Sequence, residues 1–244
     1  MHRPSASELL LLWERASGED SIDRALTLLA ACCPESREEL AQLSIGQRDT
    51  LLIQVYERLF GTAIDAFAEC PRCGERLEYG FSTCELAAPP PAHSNVPLEM
   101  EVEGKHYWLR LPDSSDLREV SRCADEASAQ NVLLQRCIVA NGTSLEVNGL
   151  PDSTVNELAT RLAKADPNAE ILIDLACCAC QFTWQVIFDI EKFLWVKISA
   201  MAKRLLREVH GLASAYGWRE HDILSLSAVR RQAYLEMAGA WPTF

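Results

Sequence analysis

Cys70-Pro71-Arg72-Cys73-Gly74 and Cys177-Cys178-Ala179-Cys180-Gln181 are the two stretches on which the fold turns. Each Cys-x-x-Cys pair leads into alternating residues. After the first, Leu77, Tyr79 and Phe81 alternate with Arg76, Glu78 and Gly80; after the second come Phe182, Trp184, Val186 and Phe188. A period of two is the signature of a strand. Ile171, Ile173 and Leu175 alternate into the second pair in the same way. Two such turns each offer two thiolates, and four thiolates complete a tetrahedron around Zn²⁺ at about 2.3 Å. Cys70, Cys73, Cys177 and Cys180 are therefore the candidate ligands of one closed, structural zinc site, a ribbon split by an insertion. Gly74 can take a positive φ just past the second ligand of its turn. Gln181 stands where a second glycine is expected.

The competing reading of a Cys-x-x-Cys pair is thiol redox chemistry, which needs a helix N-terminus to lower a thiol pKa. Strands, not helices, are predicted after both pairs. Four thiolates also leave no open position for catalysis on the metal. The chain has ten cysteines and no export-signal pattern, so a disulfide framework is not expected. Cys178 could compete for the metal, whereas Cys32, Cys33, Cys84, Cys123 and Cys137 lie in apolar patterns and read as core residues.

Outward from the two knuckles, the rest of the chain falls into segments. Residues 1–61 are predicted as three or four short helices, with Ser44 an N-cap and Gly61 a stop. Residues 62–88 hold the first half of the ribbon. Residues 89–168 open on Pro89, Pro90 and Pro91, a stiff linker with Ala92, His93 and Ser94. A hairpin follows, in which Leu98, Met100 and Val102 alternate with glutamates and Gly104 turns the chain back toward Tyr107, Leu109 and Leu111. Helices are predicted from about Ser115, from about Ser128 to Asn141-Gly142, and from about Ser153. Residues 169–189 are the second half of the ribbon. In residues 190–244, Ile190, Leu194, Ile198, Met201, Leu205, Val209, Leu212 and Tyr216 mark one stripe of a long helix. Gly217 stops it, and a short helix and a last one capped by Ser227 complete the chain. The predicted class is α+β, mainly helical, with a split four-cysteine zinc ribbon and an inserted small α+β segment.

A net charge of −12 makes nucleic acid a poor default partner. The charge is polarised: from Asp189 onward there are eight Lys/Arg against six Asp/Glu, so that stretch is +2 and everything before it −14. No run of eighteen apolar residues occurs, so no membrane span is expected. The expectation is a soluble, cytosolic protein.

Catalytic patterns are missing. His2, His93, His106, His210 and His221 are scattered, with no His-x-x-x-His pair, no phosphate loop, no Gly-x-Ser-x-Gly and no dinucleotide fingerprint. Asp113, Asp116, Asp152 and Glu157 stand near predicted helix starts, where carboxylates complement the macrodipole. No catalytic residue is assigned and no enzyme is expected.

The most distinctive stretch is residues 207–235, with His210, Tyr216, Trp218, Arg230, Arg231 and Tyr234. The aromatics suit a clamp on a helical turn, while the arginines suit carboxylates within the chain or on a partner. Together with Ala31-Ala-Cys-Cys-Pro34, Ile45-Gly-Gln-Arg-Asp49, both knuckles and Ala165-Asp-Pro167, this box resembles the T-even-type baseplate hub assembly proteins or chaperones of contractile-tailed phages and contractile injection systems. The resemblance implies a non-enzymatic role in building the baseplate hub, with a hub or spike subunit as partner and structural zinc as cofactor. It also implies action in the bacterial cytoplasm during assembly, and leaves retention in the particle open. Those six residues of the box are the partner-binding candidates. The alternatives are a zinc-ribbon nucleic-acid adaptor, which basic and aromatic residues on the ribbon would favour, and a thiol-redox protein.

Overall fold

The computed structural model describes residues 1–86, 97–139 and 150–239. The triple-proline linker with His93 and the helix end at Asn141-Gly142 lie outside the described residues. In chain order the elements are α1 (Ala6–Ala16), α2 (Ser21–Cys32), α3 (Arg37–Ala41), α4 (Ile45–Phe60), β1 (Ala63–Glu69), β2 (Arg76–Ser82), β3 (Leu98–Val102) and β4 (Lys105–Leu109). They continue with α5 (Ser114–Val120), α6 (Glu126–Cys137), α7 (Asp152–Ala165), β5 (Leu172–Ala176), β6 (Thr183–Ile187), α8 (Ile190–Tyr216), α9 (Glu220–Ser225) and α10 (Ala228–Met237). The fold is α+β and mainly helical, and its strands form small antiparallel two-stranded sheets.

The chain divides into two units, one of Met1–Pro34 with Glu191–Phe244 and one of Glu35–Ile190. In the first, α1 begins at a capping box: Ser5 accepts the Glu8 amide, and Glu8 accepts the Ser5 amide at 2.8 Å. Leu9 and Leu10 of α1 pack with Ala202 and Leu205 of α8 and Leu224 of α9. Further along α8, Leu212 packs with Ile223 and Leu235. Of the predicted stripe, Ile190, Leu194, Ile198, Leu205 and Leu212 are buried and Met201 and Val209 half-buried, while its last member, Tyr216, is 38% exposed. Gly217 takes φ +68° and ends α8, and the Ser227 hydroxyl accepts the Arg230 amide to start α10.

In the second unit, α4 starts at Ser44 through a capping box with Gln47 and stops at Gly61, φ +87°. Residues 98–162 hold a hydrophobic cluster. Met100, Val102, Tyr107 and Leu109 from the β3–β4 hairpin meet Leu134 and Cys137 of α6 and Val155, Leu158 and Leu162 of α7. The hairpin turns at Glu103 and Gly104, both left-handed (φ +52° and +74°), as the right-handed twist of the strands requires. The Glu103 carboxylate accepts hydroxyls from Ser153 and Thr154, each at 3.0 Å. It thereby places an anion at the start of α7, where Pro151 offers no side-chain cap. Asp116, fully buried, is held by Arg110 at 2.6 Å and Arg136 at 2.7 Å, and so ties α5 to α6 and to the residue that follows β4.

Three details differ from the sequence reading. No alternation in the sequence marks β1, because its inward positions after Ile64 are only Ala66 and Ala68, too small to show one. Helix α6 ends at Cys137, earlier than the predicted stop; Ile138 is extended and bridges to Leu109 at the edge of the hairpin. Cys84 is exposed in a 3-10 turn rather than in the core, since the Ser82 cap ends the strand before it.

Candidate metal centre

Both knuckles are built the same way. In the first, the strands β1 and β2 close at the pair Glu69 and Arg76; in the second, β5 and β6 close at Ala176 and Thr183. Between each pair lie six residues with cysteines at the first and fourth. The Gly74 amide donates to the Cys70 carbonyl at 2.9 Å and the Cys70 amide to the Glu75 carbonyl at 2.8 Å; Gln181 to Cys177 and Cys177 to Phe182 repeat these bonds at 3.0 and 2.9 Å. Gly74 has φ +75° and Gln181 φ +60°. Gln181 thus takes the left-handed conformation that glycine supplies in the other knuckle, and its amide side chain donates to the Cys178 carbonyl at 3.3 Å.

The two turns bring all four predicted ligands together. The sulfurs of Cys70, Cys73, Cys177 and Cys180 lie within 4.8 Å of one another. Two short approaches run between the hairpins: Cys70 Sγ to Cys180 Sγ at 3.7 Å and Cys73 Sγ to Cys177 Sγ at 3.6 Å. A tetrahedron with bonds of about 2.3 Å has edges of about 3.8 Å. Cys70 and Cys177 are buried, Cys180 half-buried and Cys73 exposed. The Arg72 guanidinium of the first turn lies 6.0 Å over the Phe182 ring of the second, and at the other end of the hairpins, away from the sulfurs, the Phe81 ring meets Phe188 edge-on at 5.2 Å.

The thiol chemistry fits a soft dication. The Cys177 thiol is pulled down to about 7, first by the backbone N–H of Cys180 and then, against desolvation, by that of Ala179. Cys73 receives the Glu75 N–H, which favours its thiolate, yet the neighbouring thiols, Cys180 first among them, and desolvation push it up to about 12. Cys180 is raised as well, although the Phe182 N–H favours its thiolate. One thiol can ionise readily, and its charge then opposes the rest. A bound cation removes that repulsion. If Zn²⁺ is held here, these four residues saturate it, so the chemistry it supplies is a cross-link between hairpins.

Cys178 is exposed and stands outside the four-sulfur group. Cys32 and Cys137 are buried, and desolvation above all pushes their thiols up to about 11 and about 12, as suits inert core residues. Among the described residues no other group of three or more Cys, His, Asp or Glu is placed to hold a metal. His106 pairs with Glu99 at 3.0 Å on the exposed hairpin.

The C-terminal candidates separate into two kinds. Tyr216 stacks on Trp218 at 4.7 Å, Tyr234 meets both edge-on, and the Tyr216 hydroxyl donates to the Tyr234 carbonyl at 3.1 Å. The aromatic trio is a clamp closed on itself. Arg231, read from sequence as a partner contact, is only 5% exposed; it donates to Glu208 at 2.8 Å and to the Leu226 carbonyl at 2.6 Å. Its guanidinium is occupied inside the unit, because the α8–α10 packing turns that face of α10 inward. His210 and Arg230 are exposed.

Ile45-Gly-Gln-Arg-Asp49 and Ala165-Asp-Pro167, far apart in sequence, meet in the fold. The Gly46 backbone amide donates to Asp166 Oδ2 at 2.9 Å, and nearby the Asn168 side-chain Nδ2 donates to the Thr50 hydroxyl at 3.2 Å. Neither pairing has a local signal that could have announced it.

Residues 5–195 match the family described as T4 bacteriophage base plate protein. The matched span contains both knuckles and ends near the start of α8, so residues 207–235 lie beyond it. No curated protein and no solved structure matches the chain.

Proposed function

The chain belongs to the T4 bacteriophage base plate protein family, and from that premise we propose that it is a non-enzymatic assembly factor or component of the baseplate hub, working by protein–protein binding. The observation that carries this reading is the family match over more than three-quarters of the chain, both knuckles included. A role in the base plate calls for rigid surfaces, and a closed four-thiolate site is a device for making two hairpins one rigid body. In this reading structural Zn²⁺ joins the ribbon halves at Cys70, Cys73, Cys177 and Cys180, and a hub or spike subunit is the partner. The site of action is the bacterial cytoplasm, where the particle is built.

The nucleic-acid alternative draws little support from the ribbon surface. Asp65, Glu69, Glu78 and Asp174 are exposed on its strands, against Arg76, and phosphate binding rewards the opposite sign. Among the described residues no helix is long and apolar enough to cross a membrane.

Co-expression with the baseplate proteins of the same gene cluster tests the proposal, together with deletion of the gene. Stable co-purification with a hub or spike subunit and loss of mature base plates are expected. Normal particles without the gene, and no baseplate protein retained, would show the reading to be wrong.

A further inference from the structure

Helix α8 carries an exposed seam whose chemistry specifies its complement. Val196, Ala200, Lys203, Arg207, His210 and Ser214 are all exposed and follow one another at steps of four and three residues. That spacing keeps side chains on one line along a helix and is the spacing by which helices pack side by side. The line is about 27 Å long at 1.5 Å per residue. Val196 is 58% exposed, and Leu206 flanks the line at 38%.

The charges on this seam are one-sided. Both carboxylates of α8, Glu191 and Glu208, are buried and engaged by Arg24 and Arg231. Lys203 and Arg207 meet no carboxylate among the described residues; the Arg207 Nε donates only to the Lys203 carbonyl at 3.3 Å. A chain of net charge −12 therefore presents, on its longest helix, an apolar end followed by a cationic stretch.

We infer that this seam docks an acidic amphipathic helix of another baseplate protein, with apolar side chains against Val196 and Ala200 and carboxylates against Lys203, Arg207 and His210. This rests on the base plate reading above. Pairing with the same seam of a second copy would set Lys203 and Arg207 against like charges, in parallel or antiparallel register, which is repulsive. Duplex nucleic acid would have no use for the apolar end, and would face the negative charge of the remainder of the chain. An acidic helix satisfies both halves of the seam.

The test is binding of each co-encoded baseplate protein to the full chain, comparing wild type with the Lys203→Glu/Arg207→Glu variant and with Val196→Asp. These positions are exposed, so circular dichroism and melting should be unchanged. For the partner that wild type retains, the double variant should bind at least about tenfold more weakly, with most of the salt dependence lost, and reversing the partner's carboxylates to lysine should restore binding. A partner bound equally by wild type and both variants overturns the seam while leaving the base plate reading intact. A wild-type chain that binds no baseplate protein overturns both. Wild-type dimerisation abolished by the double variant, or retention of duplex DNA lost in it, would reassign the seam to a second copy or to phosphate and overturn the inference.

Discussion

Gly46 and Asp166 are in such close contact that the glycine cannot be replaced without moving one of them: its amide donates to Asp166 Oδ2 at 2.9 Å, and a Cβ at position 46 would overlap the carboxylate. Asp166 is 98% buried, and its Oδ1 has no hydrogen-bond partner among the described residues, so it has nowhere inexpensive to go. Its charge lies at the N-terminal end of α4, where the helix dipole favours it.

Gly46→Ala should therefore destabilise the unit of residues 35–190 by about 2 kcal/mol or more, through overpacking and a displaced buried carboxylate. Gly18→Ala is the control, since a Cβ there meets nothing within 4 Å among the described residues. Denaturant titration of the two variants checks it; equal midpoints would refute the close contact.

Metal analysis of protein purified under reducing conditions should give one zinc per chain, tied to Cys70, Cys73, Cys177 and Cys180. Cys70→Ser or Cys177→Ser should abolish stoichiometric metal and lower the melting temperature, as should a strong chelator applied to wild type. Cys178→Ser should do neither, because its sulfur stands outside the group. Metal-free protein with an unchanged melt would remove zinc from the proposal.

The two knuckles should respond oppositely to a glycine exchange. Gly74→Ala places a Cβ at φ +75° and should cost about 1–2 kcal/mol. Gln181→Gly releases a side chain from φ +60° but loosens the unfolded chain, so it should be neutral to stabilising by under about 1 kcal/mol. Thermal melts of the zinc-loaded proteins compare them, and a strongly destabilised Gln181→Gly would contradict the equivalence of the turns.

Acidity should act through Asp49. Desolvation foremost pushes its carboxyl up to about 6 from 3.8, with Asp189 and Asp166 adding to the rise and Arg48, at 2.7 Å, opposing it. The folded state then holds this proton more tightly than the unfolded one, so the penalty is fully present above pH 6 and disappears as pH falls toward 4. A shift of this size corresponds to up to about 3 kcal/mol. Asp49→Asn should thus be more stable than wild type at pH 7.5, with the advantage shrinking toward pH 4.5. Comparing the two proteins at each pH cancels the acid lability of the thiolates. A difference independent of pH would count against the raised carboxyl.

The sequence by itself determined what depends on neighbours along the chain. Residue spacing placed the knuckles at Cys70 and Cys177, the caps at Ser44 and Ser227 and the stops at Gly61 and Gly217, because a cap, a turn or a periodic stripe is closed by residues within a few positions of one another. It also singled out the four cysteines that come together, since Cys-x-x-Cys is a local geometry and only its pairing is remote. The tertiary structure alone decided which distant groups meet. It paired Cys70 with Cys180 and Cys73 with Cys177 across hairpins, set Asp166 on Gly46, turned Arg231 inward onto Glu208 while leaving Lys203 and Arg207 outside, and made a strand of residues 63–69 whose alanines carry almost no pattern. A buried polar group chooses its partner when water is removed from around it, and that choice exists only once the chain has packed.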